Sequence, residues 1–284
     1  MGTRGTKNTY SSGDGLRPSP RSPRSPRSSR IPRTITLLTD FGTADSYVAE
    51  MKGVLLSRAP SVILVDVTHE IAQGDVRSAA YVLGRTWHRF PANTVHLVVV
   101  DPGVGSARRG LALGARGHCF VGPDNGVFTP ILHDTEVEAV VLPTPPHASS
   151  TFHGRDIFAP AAASLAAGAP LGSLGLTFES MPLRLAYTRP ERAGLDVNGE
   201  IIYVDHFGTL ITNLTSDLVP PQARVLVEDL DVGEVKRTYS DVAAGALVAY
   251  VGSGGTIEIA VRDGSAAEHL AIGIGAPVRA CLDS

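Results

Sequence analysis

TITLLTDFGTADSYVAEMKGVLLSRAPSVILVDVTHE, from Thr34 to Glu70, decides the fold. A short apolar run ends in Thr39 and Asp40, a helical stretch is stopped near Pro60, and a second apolar run ends in Asp66, Thr68 and His69. Two strands joined through a helix run parallel, because only a long crossover returns the chain to the same edge. The alternation continues outward. GDVRSAAYVLGRTWHRF (74–90) reads as the second helix, TVHLVVVD (94–101) as the third strand, and HCFVGPDNG (118–126) and VEAVVLP (137–143) as two more strands. Residues 155–168 read as a helix with Pro160 near its first turn, where proline is tolerated or causes a small kink. The expected fold class is therefore α/β, with a mostly parallel sheet and flanking helices over residues 34–188. From residue 189 to 284 the texture changes to β-rich runs punctuated by Gly and Asp, such as GEIIYVDHFGTLITNL (199–214) and ALVAYVGSGGTIEIAVRDG (246–264), with one short helix at SAAEHL (265–270). These predict a second domain, antiparallel and barrel-like.

The chain has 284 residues, 43% of them hydrophobic and 19% charged, enough for one large domain or two smaller ones. No run approaches the roughly 18 to 20 apolar residues of a membrane helix, and the N-terminus lacks the apolar centre of a secretory signal. Only Cys119 and Cys281 are present, too few for a disulfide scaffold, so a soluble, cytoplasmic protein is expected. Residues 1–33 carry eight basic side chains against Asp14 alone, making this arm +7 and the remainder −10 within a net charge of −3. The Ser-Pro-Arg tract in the arm is expected to be disordered. The acidic remainder does not favour nucleic acid.

Polar residues collect where parallel strands open into loops, which is where α/β sheets bind ligands. The first strand delivers Thr39 and Asp40, the second Asp66, Thr68 and His69, the third Asp101, and the fourth Asp124 and Asn125. VVVDPGVGSARRG (98–110) fits neither the dinucleotide nor the triphosphate glycine pattern, and Asp101 would repel a phosphate. Arg108 is expected to answer Asp101, either as part of a site or as a structural ion pair. TDFG (39–42) shares four letters with a protein-kinase metal loop but lacks its companion motifs, and no H-E-x-x-H or paired Cys/His spacing points to a metal. His88 and His96 are expected to pack or face solvent. His153, just before a predicted helix, is held neutral by the macrodipole and can accept a proton, or it serves in capping or packing.

Taken together, TDFG, VDVTHEI, VVDPGVGSARR, VGPDNG, TFHGRDIFAPAAA, VDHFGTLITNL and EIAVRDGSAAEHL closely resemble the S-adenosyl-L-methionine hydrolases, also called SAM hydroxide adenosyltransferases, which are related to the fluorinase and chlorinase. The resemblance runs from Thr34 to the C-terminus. It implies hydrolysis of S-adenosylmethionine to adenosine and methionine without metal or cofactor, by a homotrimer whose site lies between the N-terminal domain of one subunit and the C-terminal domain of the next. It assigns catalysis to Asp101, Arg108 and His153 and the ribose hydroxyls to Asp40. His69, Asp205, Thr209, Ser253 and Glu258 are the further candidate substrate-binding residues. Thr209 stands where the family usually has Asn, so a hydroxyl replaces an amide. A halide-using adenosyl transferase and a non-catalytic sensor of S-adenosylmethionine or adenosine are the competing expectations.

Overall fold

A computed structural model of the chain describes residues 1–3, 5, 33–132, 136–220 and 222–281. The disorder expected of the basic arm concerns residues that lie outside this set. β1 (Thr34–Thr39), α1 (Tyr47–Arg58) and β2 (Ile63–Thr68) form the strand–helix–strand unit, followed by α2 (Val76–Thr86) and β3 (Val95–Val99). With β5 (His118–Pro123), these strands form the parallel part of a seven-stranded sheet in the order β2-β1-β3-β5. β4 (Gly110–Ala115), β6 (Glu138–Leu142) and β7 (Leu176–Thr177) extend it antiparallel beyond β5. Sequence reading missed β4, because GLALGA has no β-branched residue, and its place is fixed by pairing on both edges.

Alternation along the strands separates two apolar layers. Ile35 and Leu37 of β1 and Val95, Leu97 and Val99 of β3 pack with Met51 and Leu55 of α1 and Leu165 of α3 (Ala159–Ala167). Leu38 and Val98 face the other way, toward Ala79 and Leu83 of α2. His96 shares that second layer and is 1% exposed. Its Nδ1 lies 2.8 Å from Thr36 Oγ1 and its Nε2 3.2 Å from His118 Nδ1. Burial, then the neighbouring His118, pushes its pKa down to about 3.

The helix expected over 155–168 comes in two pieces, a π-helical turn at Gly154–Phe158 and then α3. Pro160 falls in the first turn of α3, directly after the π-helical turn, and Gly168 ends the helix at φ 103°.

The C-terminal strands are β8 (Glu191–Ala193), β9 (Asp196–Val204), β10 (Leu210–Thr215), β11 (Arg224–Val227), β12 (Leu230–Lys236), β13 (Leu247–Val251), β14 (Thr256–Val261) and β15 (Pro277–Cys281). Seven of them close into a barrel, β9-β10-β14-β13-β12-β11-β15, with β8 added at β9. Val197 and Ile201 of β9, Leu210 and Leu214 of β10, and Ile257 and Ile259 of β14 point inward. One pair, β12–β13, is parallel rather than antiparallel as expected, because the connection between them carries the chain back to the end where β12 began. The predicted short helix is α4 (Ala266–Leu270), capped by Ser265 Oγ accepting the Glu268 N–H. Tyr81 of α2 stacks on Tyr203 of β9 with ring centroids 4.4 Å apart. No helix among the described residues is long and apolar enough to cross a membrane.

Candidate active site

Beyond β3 the chain reaches Asp101 and turns back so that Arg108 meets the strand end. Gly105 sits at φ +76°, and a Cβ there would lie 2.4 Å from the Ser150 carbonyl oxygen. Only glycine lets this turn pack against the segment leading into His153. Arg108 Nη2 donates to Asp101 Oδ2 and lies 2.9 Å from His153 Nδ1. A guanidinium has no acceptor, so Nδ1 must accept, and the neutral ring carries its proton on Nε2. The ion pair expected between Asp101 and Arg108 is present, with His153 joined to it through the same nitrogen.

The trio is largely shut off from water. The Arg108 and Asp101 side chains are 8% and 5% exposed, and Asp101 Oδ1 and Arg108 Nε are buried without hydrogen-bond partners. Burial raises the Asp101 carboxyl above its usual range against the opposing pull of Arg108 and His153. Burial, then Arg108, lowers the pKa of His153. Its neutrality therefore has a cause other than the helix terminus that the sequence suggested.

Asp101 and His153 line a cavity of about 610 Å³ together with Asp40, Tyr47, Val104 and Phe152. Asp40 Oδ2 accepts the Gly74 N–H at 2.8 Å. Phe152 meets Tyr47 edge-on at 5.4 Å and Phe41 at 5.9 Å, giving the cavity an aromatic wall. The Arg155 guanidinium lies 4.9 Å from the Phe152 ring centre and bonds Asp156 and Glu50, while Asp156 accepts the Ser149 N–H. These links fasten the chain on both sides of His153. Sequence reading missed the aromatic wall and the Arg155 clamp: Phe41, Phe152, Arg155 and Asp156 lie within TDFG and TFHGRD, but their roles carry no signal without the packing.

Other strand-end residues serve the scaffold. Asp124 takes Arg109 and the Leu183 N–H, and Asn125 donates to the Val100 carbonyl beside Asp101 at 2.9 Å. His69 does not line the cavity; it sits behind the Asp40 turn, 2.9 Å from Thr39 Oγ1.

The barrel candidates form a separate group. Asp205 Oδ1 accepts the N–H groups of Phe207 and Thr209 at 2.9 and 2.8 Å. Tyr250, absent from the sequence reading, has its hydroxyl pKa raised by burial and then by the neighbouring Glu258 carboxylate. Burial raises the Glu258 carboxyl despite the Tyr250 hydroxyl, and Asp205 adds to the rise. Ser253 Oγ lies 3.3 Å from Arg85 Nη2. None of Asp205, Thr209, Ser253 and Glu258 lines the cavity beside Asp101. Among the described residues, no group of three or more His, Cys, Asp or Glu side chains is arranged to hold a metal ion.

Residues 35–175 match the SAM hydroxide adenosyltransferase N-terminal domain and residues 199–279 the C-terminal domain of the same family. The (R)-S-adenosyl-L-methionine hydrolase of Thermus thermophilus is 42% identical over 87% of this chain and 99% of its own length. A fluorinase from an Actinoplanes species is more distant, 32% identical over 63% of this chain and 71% of its own. A crystal structure of an uncharacterized conserved protein from Thermotoga maritima superposes with a TM-score of 0.81 at 36% identity, covering 87% of this chain and 100% of that one. The domain matches, the shared architecture and this degree of identity agree, and the chain belongs to the SAM hydroxide adenosyltransferase family.

Proposed function

We propose that this protein hydrolyses S-adenosyl-L-methionine, the (R)-sulfonium epimer named for its relatives, to adenosine and L-methionine. The observation that carries the reading is Arg108 Nη2 held between Asp101 and His153 beside the cavity. Water attacks the ribose C5′, the C5′–S bond breaks, and its electron pair leaves on sulfur as a neutral thioether, so the leaving group needs no acid. Generating the nucleophile is the difficult part. Arg108 stabilises developing hydroxide, and the Nε2–H of His153 can orient the water by donating to its oxygen. The proton then goes to Asp101, whose Oδ1 is unpartnered and whose basicity is increased by burial. Asp40, on the same cavity wall, holds the ribose hydroxyls.

The working form inferred is a homotrimer with the barrel of one subunit completing the cavity of the next. Supporting this, the barrel candidates stand apart from the cavity on their own chain, and Phe207 beside them is 75% exposed. The reaction is assigned to the cytoplasm, in keeping with a sequence whose two cysteines are too few for a disulfide scaffold. Incubation with (R)-S-adenosyl-L-methionine in ¹⁸O water tests the activity: adenosine labelled at the 5′ oxygen is expected. Adenosine no more abundant than with His153→Ala, or 5′-haloadenosine formed when halide is added, would refute it.

A further inference from the structure

His69 is buried and does not line the cavity, yet it grips the turn that carries Asp40 at two points. Its backbone carbonyl accepts the Gly42 N–H at 2.7 Å. Its ring Nδ1 lies 2.9 Å from the Thr39 hydroxyl, whose oxygen also accepts the Phe41 N–H at 3.3 Å. On the far side, His69 Nε2 makes an off-line approach of 3.1 Å to Asp66 Oδ1, and Asp66 Oδ2 accepts Lys52 Nζ at 2.6 Å. The donors run in one direction. His69 Nε2 makes no hydrogen bond, but the carboxylate facing it favours the ring proton on that nitrogen, so Nδ1 accepts from Thr39 and Thr39 keeps a lone pair for Phe41. The Asp40 turn is thus fastened to His69 at two points, and the ring's far side faces an ion pair on β2 and α1 without a hydrogen bond to it.

The strand register explains how His69 reaches Thr39. Leu37 pairs with Asp66 but Leu38 pairs with Thr68, so Val67 is an extra residue on β2. That bulge, uncommon between parallel strands, advances β2 by one residue and brings His69 level with Thr39 rather than Asp40.

We propose that His69 is a positioning residue, which fixes Asp40 for the ribose through Thr39 and never touches substrate itself. This inference rests on the reading of Asp40 as the carboxylate that binds the ribose hydroxyls. Binding of adenosine and 2′-deoxyadenosine, followed by calorimetry on the assembled protein, tests it without requiring turnover. The wild-type protein is expected to prefer adenosine by roughly tenfold or more, as for a hydrogen bond to a charged group, and Asp40→Asn should lose that preference.

His69→Leu and the near-isosteric Thr39→Val should bring the preference to within about threefold of unity. His69→Asn, whose amide oxygen can stand where Nδ1 stood, should retain most of it; a purely structural role predicts no such recovery. Thr39→Val carries the test if His69→Leu does not fold. Full preference for adenosine in folded Thr39→Val or His69→Leu overturns the positioning role while leaving Asp40 as the ribose ligand. A wild-type protein without the preference overturns the reading of Asp40 itself, and the inference with it.

Discussion

Acidification should unlock the second apolar layer of the sheet at His96, and His96→Gln isolates the effect. Inside the fold His96 has a pKa of about 3 against an ordinary value of 6.5. Between those values the unfolded chain binds a proton that the folded chain refuses, so stability is lost as pH falls from about 6.5 toward 3. Integrating the linkage at ~1.4 kcal/mol per pH unit, this one group removes about 2 kcal/mol between pH 7 and pH 5. For a domain of this size that corresponds to about 4–8 °C in Tm.

The group facing His96 from β5 is His118, whose own pKa is lowered by burial; Thr36 faces it from β1, and Phe90 and Phe120 cover it. His118 remains in both proteins, so the difference between them reports His96. Glutamine keeps an amide to meet Thr36 and His118 but does not titrate in this range. Scanning calorimetry of both proteins at pH 7, 6 and 5 should show the wild-type Tm falling more steeply, by the margin above. Parallel Tm curves would refute the assignment of the acid sensitivity to this ring.

Arg108→Lys should lower kcat by about 100-fold or more with the fold intact, since an ammonium cannot reproduce the planar fork at Asp101 and His153; single-turnover adenosine formation checks it. The acid limb of kcat/KM should have a midpoint above 3.8, because activity requires ionised Asp101, whose pKa burial raises, together with neutral His153, whose pKa burial and Arg108 lower from 6.5. An Asp101→Ala variant that retains activity and the same acid limb would contradict this. Gly105→Ala should lose both stability, measured by urea unfolding, and activity, since the new Cβ meets the Ser150 carbonyl and the left-handed φ adds strain.

Much of the molecule is legible along the chain. Apolar runs alternating with amphipathic stretches predict α1, α2 and the parallel strands, because each element must bury one face against the next. The strand ends reveal Asp40 and Asp101 because parallel strands open on one side, and TFHGRD marks His153 beside its helix. The seven motifs in order fix the family. Local pattern, however, carries no information about pairing between distant strands. It therefore gave the barrel-like character of the second domain but neither β4, whose glycines and alanines lack strand character, nor which strands close the barrel, nor the parallel β12–β13 pair. It also could not tell Asp40, which faces the cavity, from Asp124, which is tied to Arg109 and Leu183, since both read as acids at strand ends. His69 shows the same limit. Its residue type suggests a ligand, but a one-residue bulge in β2 brings it to Thr39 behind the cavity wall. Residue type and spacing determined which chemical groups are available; three-dimensional register and burial decided which of them meet, and in what protonation state.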